Sequence, residues 1–280
     1  MTSQPLSSTL ITVAPTGAET DKSSFPALPT TIDELVETAV RCEAAGAAMI
    51  HLHIRDELHR PTLDLSRLCE AVEAVRVKTT LVVQLSTGGS VHDPLEDRLK
   101  VLDADPDSCS LTMGTTNFGD DVFLNPWPFV AELYQLSQDR QVVPEFELFD
   151  LGHVAALHRL LDTYGLPFGE RVHCDLVMGV PGGMPGTADA LVAAVQALPA
   201  ATTSWSATGI GRTSLAVAFA SISKGGHLRV GMEDTLTLAR GVPVTHNAEL
   251  VGRAASLCEL AQRPAMSTDD ARDLLQVKRR

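Results

Sequence analysis

The stretch Ala48-Met49-Ile50-His51-Leu52-His53-Ile54 begins as an apolar run and ends in two histidines that are separated by one residue. An apolar run of this kind is typical of a strand buried on both faces of a parallel sheet. Side chains two residues apart in a strand point to the same side, so His51 and His53 should point together. In a closed parallel barrel the carboxyl ends of the strands form the mouth, where active sites lie. The stretch therefore predicts both a barrel strand and part of a site.

This strand is the second of eight apolar runs, and a helical pattern follows each of them. The predicted strands are Leu10–Ala14, Ala48–Ile54, Leu81–Leu85, Ser108–Met113, Val142–Phe149, Val172–Met178, Thr202–Ala207 and Leu228–Met232. The predicted helices are Thr31–Ala45, Leu65–Val75, Pro94–Leu102, Phe129–Ser137, His153–Tyr164, Thr187–Leu198, Ser214–Ser223, Asn247–Gln262 and Thr268–Val277. The alternation, without a break in composition, predicts an α/β fold: a single-domain (β/α)8 TIM barrel over residues 1–280 with a C-terminal helical extension. A doubly wound open sheet is the structural alternative, although it usually has fewer strands at this length.

Composition excludes some classes of function. The formal net charge of the 280-residue chain is −13, and a negative surface disfavours binding to nucleic acid or anionic lipid. Its five cysteines are widely spaced without a CxxC pair, which predicts buried free thiols in a reducing compartment. The N-terminal stretch lacks a basic segment followed by a long apolar run, and no apolar run reaches about 18 residues. We therefore expect a soluble cytoplasmic protein.

Polar residues gather at the predicted carboxyl ends of the strands, which indicates an enzyme. If the eighth strand extends to Glu233, then Arg229, Gly231 and Glu233 share one side, and Gly231 leaves room near the barrel axis. Two histidines and one glutamate form a catalytic type of zinc set with a position left for water or substrate. The alternative is a hydrogen-bonded pair of structural histidines. The carboxylate from the last strand favours a metal site made by His51, His53 and Glu233.

Further acidic residues accompany this set. Asp234 is a candidate general base if no neighbouring cation holds it, whereas the alternative is that Glu233 and Asp234 cap a helix. Glu145 and Glu147 share one face of the fifth strand. A carboxylate inside a barrel is costly unless it is paired, so at least one of the two should meet an arginine, a metal or a substrate. The alternative is that both face the helix layer as solvated groups.

Other polar groups near the mouth are less specific. Ser86-Thr87-Gly88-Gly89 offers a hydroxyl and bare backbone N–H groups that suit a carboxylate, an oxyanion or a phosphate. Ser110 and Thr112 share one face of the fourth strand. Arg55 and Asp56 follow the histidines directly, and a structural ion pair between them is an equally good interpretation.

Taken together, these motifs resemble those of the beta-keto acid cleavage enzymes over almost the whole chain. The matching stretches are Thr16-Gly17-Ala18-Glu19-Thr20, His51-Leu52-His53-Ile54-Arg55, Gln84-Leu85-Ser86-Thr87-Gly88-Gly89, Asn117-Phe118-Gly119-Asp120-Asp121, Val142-Val143-Pro144-Glu145, Gly179-Val180-Pro181-Gly182-Gly183-Met184, Gly209-Ile210-Gly211-Arg212 and Gly231-Met232-Glu233-Asp234. Each stretch alone is weak, whereas the set in this order is highly specific.

The resemblance implies a zinc barrel, usually a homotetramer, that converts a β-keto acid and acetyl-CoA into acetoacetate and a new CoA thioester. The reaction it implies is attack of an enolate on the thioester followed by retro-Claisen cleavage. In that scheme His51, His53 and Glu233 match the zinc ligands, and Asp234 matches the base that removes the α-proton. Five other positions match as well. Arg229 matches the residue that orients the base, Glu147 matches an active-site carboxylate, and Ser86, Gly88 and Gly89 match the turn that receives the substrate carboxylate.

The resemblance also indicates the substrate class. Glu19 looks like the family variant that pairs with a cationic substrate tail, which implies an amine-bearing β-keto acid such as 3-keto-5-aminohexanoate from lysine fermentation. Ser110 and Thr112 are the matching substrate-side positions of the fourth strand. They stand in Ser110-Leu111-Thr112 where Thr-Leu-Asn is expected, and this departure bears on the length of the substrate.

Two other functions compete with this one. Another zinc barrel enzyme, either a hydrolase that uses metal-bound water or a class II aldolase, would contain the same metal set. A non-catalytic barrel that binds a metal or another ligand is the alternative from a different class.

Overall fold

The computed structural model describes residues 8–278, and within them eight parallel strands close into one barrel. The barrel strands are β1 (Ile11–Val13), β2 (Met49–Leu52), β3 (Val82–Leu85), β4 (Ser108–Thr112), β7 (Val143–Leu148), β8 (Val172–Met178), β9 (Thr202–Gly209) and β10 (His227–Val230). Their order around the barrel follows the chain, and β10 pairs with β1 to close it. The predicted (β/α)8 fold is confirmed, and the alternative prediction of a doubly wound open sheet is wrong. The predicted domain span of 1–280 also includes residues 1–7, 279 and 280, which lie outside the described residues.

A helix follows every barrel strand and forms the outer layer. The helices are α1 (Ile32–Ala44), α2 (Leu65–Lys78), α3 (Leu95–Lys100), α4 (Trp127–Arg140), α5 (Leu151–Tyr164), α6 (Ala188–Ala197), α7 (Ser214–Ser223), α8 (Asn247–Leu260) and α9 (Thr268–Leu275). The first helix begins with a capping box: the Thr31 side chain accepts from the Glu34 backbone N–H, and the Glu34 side chain accepts from the Thr31 backbone N–H. None of the helices among the described residues has both the length and the apolar character that a membrane span requires.

The strands divide their side chains between an apolar outer face and a polar interior. Leu111 and Phe146 belong to the apolar layer between the barrel and the helices. The alternate positions Ser110 and Glu145 are neighbours across β4 and β7 and are also buried. Residues that alternate in a strand face opposite sides, so Glu145 and Glu147 point into the barrel. The alternative in which they face the helix layer as solvated groups is wrong.

The predicted C-terminal extension, α9, covers the amino-terminal end of the barrel. Its buried residues Ala271 and Leu275 share one apolar cluster with Leu10, Ala48 and Val82 at the start of three strands. The bottom of the barrel is therefore closed by hydrophobic contact, and the polar end at the opposite side remains open.

Two short hairpins were not predicted from the sequence. The first consists of β5 (Thr116–Phe118) and β6 (Asp121–Phe123), and the second of β11 (Thr237–Ala239) and β12 (Val242–Pro243). Each strand contains only two or three residues, too few for an alternating pattern to stand out. Both hairpins follow the carboxyl ends of barrel strands.

Replacement of Leu275 by alanine should lower the free energy of unfolding by about 2–5 kcal/mol, because it leaves a cavity between α9 and the barrel floor. Leu58→Ala is the matched control: Leu58 is 68% exposed, and its truncation should change stability by less than about 0.5 kcal/mol. Urea unfolding monitored by circular dichroism measures both. Equal effects for the two variants would contradict the closing role of α9.

Candidate active site

The two histidines lie at the carboxyl end of β2, as predicted. His51 is within the strand, and His53 follows its last residue. Their ring centroids are 5.2 Å apart, and both side chains line the same cavity at the barrel mouth. Alternation along the strand thus brings two imidazoles to one side.

Glu233 reaches the histidines through a turn and not along a strand. Strand β10 ends at Val230, and the Glu233 backbone N–H then donates to the Ala14 carbonyl at 3.2 Å. Gly231 is required by the close approach of β1, because a Cβ at this position would collide with the Ala14 carbonyl oxygen. The predicted strand to Glu233 and the predicted room near the axis are both wrong, although the side chain arrives at the predicted place.

His51, His53 and Glu233 offer ligand atoms that all lie within 4.8 Å of one another. Glu233 Oε1 is 3.8 Å from His51 Nε2 and 3.6 Å from His53 Nε2. Glu233 Oε2 is buried and has no hydrogen-bonding partner among the described residues. A buried carboxylate oxygen without a donor is costly, and a cation bound at this point would remove that cost. The donor set therefore fits a divalent metal with two nitrogen ligands and one oxygen ligand.

The protonation states of these groups also suit a metal. Burial lowers the pKa of His53 to about 3, despite the attraction of Glu233, so its imidazole is neutral. Burial by itself raises the pKa of Glu233, but the charge and hydrogen bond of Arg229 outweigh burial, and the pKa falls to about 2. A neutral imidazole and an ionised carboxylate are the forms that bind metal ions.

Arg229 is the centre of the acidic cluster behind the histidines. Its guanidinium donates to Glu147 Oε1 at 3.1 Å, to Asp234 Oδ1 at 3.1 Å and to Glu233 Oε1. Burial lowers the pKa of Arg229, but the three carboxylates together raise it well above its ordinary value. One guanidinium does not balance three buried carboxyl groups, and this excess of acid also favours a cation.

Asp234 is buried beside Arg229 and lines the same cavity. Burial raises the pKa of Asp234 to about 8, because it outweighs the lowering effect of Arg229. Arg229 holds this residue at 3.1 Å, so the condition under which the residues alone made Asp234 a candidate base is not met, and its role as the base stays what the family resemblance implies. The helix-capping alternative for Glu233 and Asp234 is wrong, because the next helix, α8, is capped by His246.

The turn after β3 lies at the side of the cavity and depends on its glycines. Ser86, Gly88 and Gly89 line the cavity, as predicted. Gly89 has a φ of +60°, and a Cβ there would collide with the Asp93 carboxylate. At Gly88 a Cβ would lie 2.9 Å from the Phe123 ring, so a side chain at either position would collide with its neighbours.

Ser110 and Thr112 do not line the cavity that contains the other predicted residues. Thr112 Oγ1 donates to Glu147 Oε2 at 2.7 Å, and Ser110 Oγ accepts from the Thr87 backbone N–H at 3.4 Å. The structure thus places these two side chains behind Glu147 and the turn after β3, and their contact with substrate stays a prediction.

Glu19 is exposed at the rim of the cavity, on a loop after β1. No hydrogen bond or ion pair joins its carboxylate to another described residue. Arg55 fixes this loop, since its guanidinium donates to the Gly17 carbonyl at 2.7 Å and to the Thr20 carbonyl at 3.0 Å. The predicted ion pair of Arg55 with Asp56 is wrong, because Asp56 pairs with the neighbouring Arg60.

Sequence reasoning missed the apolar wall of the cavity. The volume of the cavity is about 890 Å³, including the space at its open mouth. Phe118 and Phe123 come from the unpredicted hairpin, and their rings meet edge to face at a centroid distance of 6.1 Å. The rest of this wall consists of Phe149, Val177, Val180 and Ile210. Asn117–Asp121 was the one signal in the sequence for this region, and it did not reveal a side chain at the site.

Comparisons with known proteins identify the family of this chain and support its fold. The sequence profile of the beta-keto acid cleavage enzymes matches residues 8–277. The 3-keto-5-aminohexanoate cleavage enzyme of Fusobacterium nucleatum is 34% identical, covering 96% of this chain and 98% of that protein. The 3-oxoadipate:acetyl-CoA acetyltransferase of Cupriavidus necator is also 34% identical, covering 95% and 94%. The solved complex of ObcA with oxaloacetate has the same fold, with a TM-score of 0.76 at 20% identity, covering 91% of this chain and 68% of that one. This chain belongs to the beta-keto acid cleavage enzyme family.

Proposed function

We propose that this protein is a zinc-dependent enzyme that converts a β-keto acid and acetyl-CoA into acetoacetate and a new CoA thioester. The observation that carries the proposal is the approach of His51, His53 and Glu233 to one point in a cavity that Asp234 also lines. The name of the 3-oxoadipate relative, which pairs a keto acid with acetyl-CoA, supports the two substrates. The family resemblance supports a homotetramer as the working form, and the widely spaced cysteines support a reducing, cytoplasmic location.

His51, His53 and Glu233 would hold the metal. A bound zinc ion supplies a Lewis acid that polarises the keto oxygen and stabilises the negative charge that develops on proton removal. Asp234 accepts the proton from the carbon between the keto and carboxylate groups of the substrate. Arg229 holds the Asp234 carboxylate in place through two contacts, at 3.1 and 3.4 Å, and so orients it for this transfer.

The two ends of the substrate find different partners. In the turn after β3, the N–H groups of residues 86–88 donate within the protein, so the Ser86 hydroxyl and the Gly89 N–H are the groups that suit the substrate carboxylate. The free carboxylate of Glu19 at the rim suits a cationic tail, so we propose an amine-bearing β-keto acid such as 3-keto-5-aminohexanoate. The name of the Fusobacterium nucleatum relative supports this substrate class. The phenylalanines of the apolar wall exclude water from the space between.

The alternatives share the metal set but not the second substrate. A zinc hydrolase or a class II aldolase would use the same ligands without acetyl-CoA, and a non-catalytic barrel would bind the metal without turnover. Asp234 favours an enzyme over metal storage, because it lines the same cavity as the metal set and its pKa is raised, which is typical of catalytic sites.

Removal of zinc should abolish the release of acetoacetate from acetyl-CoA in the presence of β-keto acids, and added zinc should restore it. His51→Ala should weaken zinc binding by more than about 100-fold, since changes to groups outside the ligand set already cost 10–100-fold. Metal analysis, chelator competition and a coupled acetoacetate assay measure these effects. His158→Ala, at an exposed histidine of α5, is the matched control and should leave both unchanged. Release of acetoacetate by zinc-free protein, or product formation without any acyl-CoA, would contradict the proposal.

Asp234→Asn should lower kcat by roughly 10²–10⁴-fold, the usual contribution of a general base, while the zinc content stays near that of the unmodified protein. Asp162→Asn makes the same change at an exposed position of α5 and should leave kcat unaltered. Steady-state kinetics and metal analysis on the same preparations give the answer. A decrease in kcat of less than about threefold would exclude Asp234 as the base.

Glu19→Gln should lower kcat/KM for an ammonium-bearing β-keto acid by about 10–100-fold, because a charge-assisted contact becomes a neutral one. For 3-oxohexanoate, which has no ammonium group, the change should be less than about threefold. Side-by-side kinetics with the two keto acids measure the difference. Equal losses on both substrates would refute the pairing of Glu19 with a cation.

A further inference from the structure

A chain of buried polar side chains runs from the predicted zinc ligand His51 into the barrel interior. His51 Nδ1 is 2.5 Å from Gln84 Oε1, and Gln84 Nε2 lies 3.2 Å from Glu145 Oε1. Glu145 Oε2 is 3.1 Å from His173 Nε2, and His173 Nδ1 is 2.7 Å from Ser204 Oγ. Gln84, Glu145 and His173 are each at most 2% exposed. The proposed zinc chemistry leaves all three unused.

The direction of each hydrogen bond follows from the chemistry of Glu145. Burial disfavours its charge, but His173 lowers the pKa of Glu145 below its ordinary value, so the carboxylate is ionised and only accepts. The Gln84 side that faces Glu145 must therefore be its amide NH2 group. Ser108 Oγ, 3.1 Å from the same nitrogen, does not select an orientation, because a hydroxyl both donates and accepts.

The orientation of Gln84 decides where the proton of His51 resides. With its NH2 group turned to Glu145, Gln84 presents its carbonyl oxygen to His51 Nδ1, and a carbonyl oxygen accepts only. His51 must then carry its proton on Nδ1, which leaves a lone pair on Nε2. Nε2 is the atom that faces Glu233 at 3.8 Å. A flipped Gln84 would donate to Nδ1 and put the proton on Nε2, where it blocks metal binding.

We propose that Glu145 is a positioning residue for the metal site: it fixes the Gln84 amide, which in turn holds His51 in the tautomer that binds zinc. The inference rests on the proposed zinc site. The second contact of Glu145 is with His173, whose Nε2 lies 3.1 Å from the other carboxylate oxygen, and this contact lowers the pKa of Glu145. Burial of a carboxylate inside the barrel costs free energy, and the orientation of Gln84 by Glu145 explains why a carboxylate stands at this position.

The test is a double-mutant cycle on zinc affinity. Gln84→Leu removes the acceptor of the His51 proton and should weaken zinc binding by about 10–100-fold. Glu145→Leu frees the Gln84 amide to rotate and should weaken it by about 10-fold or more. In the double variant the loss should equal that of Gln84→Leu alone within about threefold, because Glu145 acts through Gln84. Competition of purified protein with a chromogenic chelator for zinc measures all four dissociation constants.

Asp175→Leu is the matched control for the loss of a buried negative charge. Asp175 is also fully buried inside the barrel, but it accepts from Ser206 and Thr208 and makes no contact with Gln84. Its replacement should change zinc affinity by less than about threefold. Equal effects of Glu145→Leu and Asp175→Leu, or additive effects in the cycle, would overturn the proposal, because either would mean that Glu145 acts through its charge.

A second measurement does not depend on how the variants fold. Two-bond ¹H–¹⁵N spectra of the unmodified metal-free protein should show His51 protonated at Nδ1, and protonation at Nε2 would overturn the proposal. Failure of the unmodified protein to bind zinc would refute the proposed function. Zinc binding that is unchanged in Gln84→Leu and Glu145→Leu would refute the positioning role alone.

Discussion

The contact of one buried guanidinium with three acidic side chains is the constraint around which the site is built. Arg229 holds Glu147, Glu233 and Asp234 at the carboxyl end of the barrel. Buried acidic side chains are stable only if their negative charge is balanced, and the single positive charge of Arg229 does not balance three of them. The carboxylate of Glu233 also faces His51 and His53. A metal ion bound at this point would balance the negative charge that Arg229 leaves uncompensated.

Along the barrel axis, the residues of the proposed reaction and the residues that hold them in place lie at different depths. Near the mouth lie the predicted metal ligands, Asp234 and the cavity that holds the substrate in our proposal. One layer below, Gln84 and Glu145 are held by hydrogen bonds with neighbouring strands and have no access to the cavity. The apolar contacts of α9 then close the floor. Polar groups can be buried at this depth because each strand turns its apolar face to the helices.

The mouth itself is assembled from loops that the barrel holds in different ways. The loop of Glu19 is fixed by carbonyl contacts with Arg55, a residue of the next strand–helix unit. The β5–β6 hairpin brings Phe123 against the turn after β3 and Phe118 against Phe149. Charge at the rim and apolar surface inside it thus come from separate segments, which allows the substrate tail and the reacting carbons to be recognised independently.

The sequence by itself determined the alternation of strands and helices, the closed barrel class and the shared side of His51 and His53, because these depend on the spacing of near neighbours. It also indicated the acidic residues of the eighth unit, but not how they arrive: Glu233 comes by a turn that the approach of β1 to Gly231 imposes. Only the tertiary structure decided the partners of Arg55, the hairpin wall and the link from His51 through Gln84 to Glu145. The strands of the hairpin are too short to show a pattern, and the contacts of Arg55 with Gly17, of His51 with Gln84 and of Gln84 with Glu145 join residues 33 or more positions apart, where periodicity carries no information. Barrel closure alone brings them together.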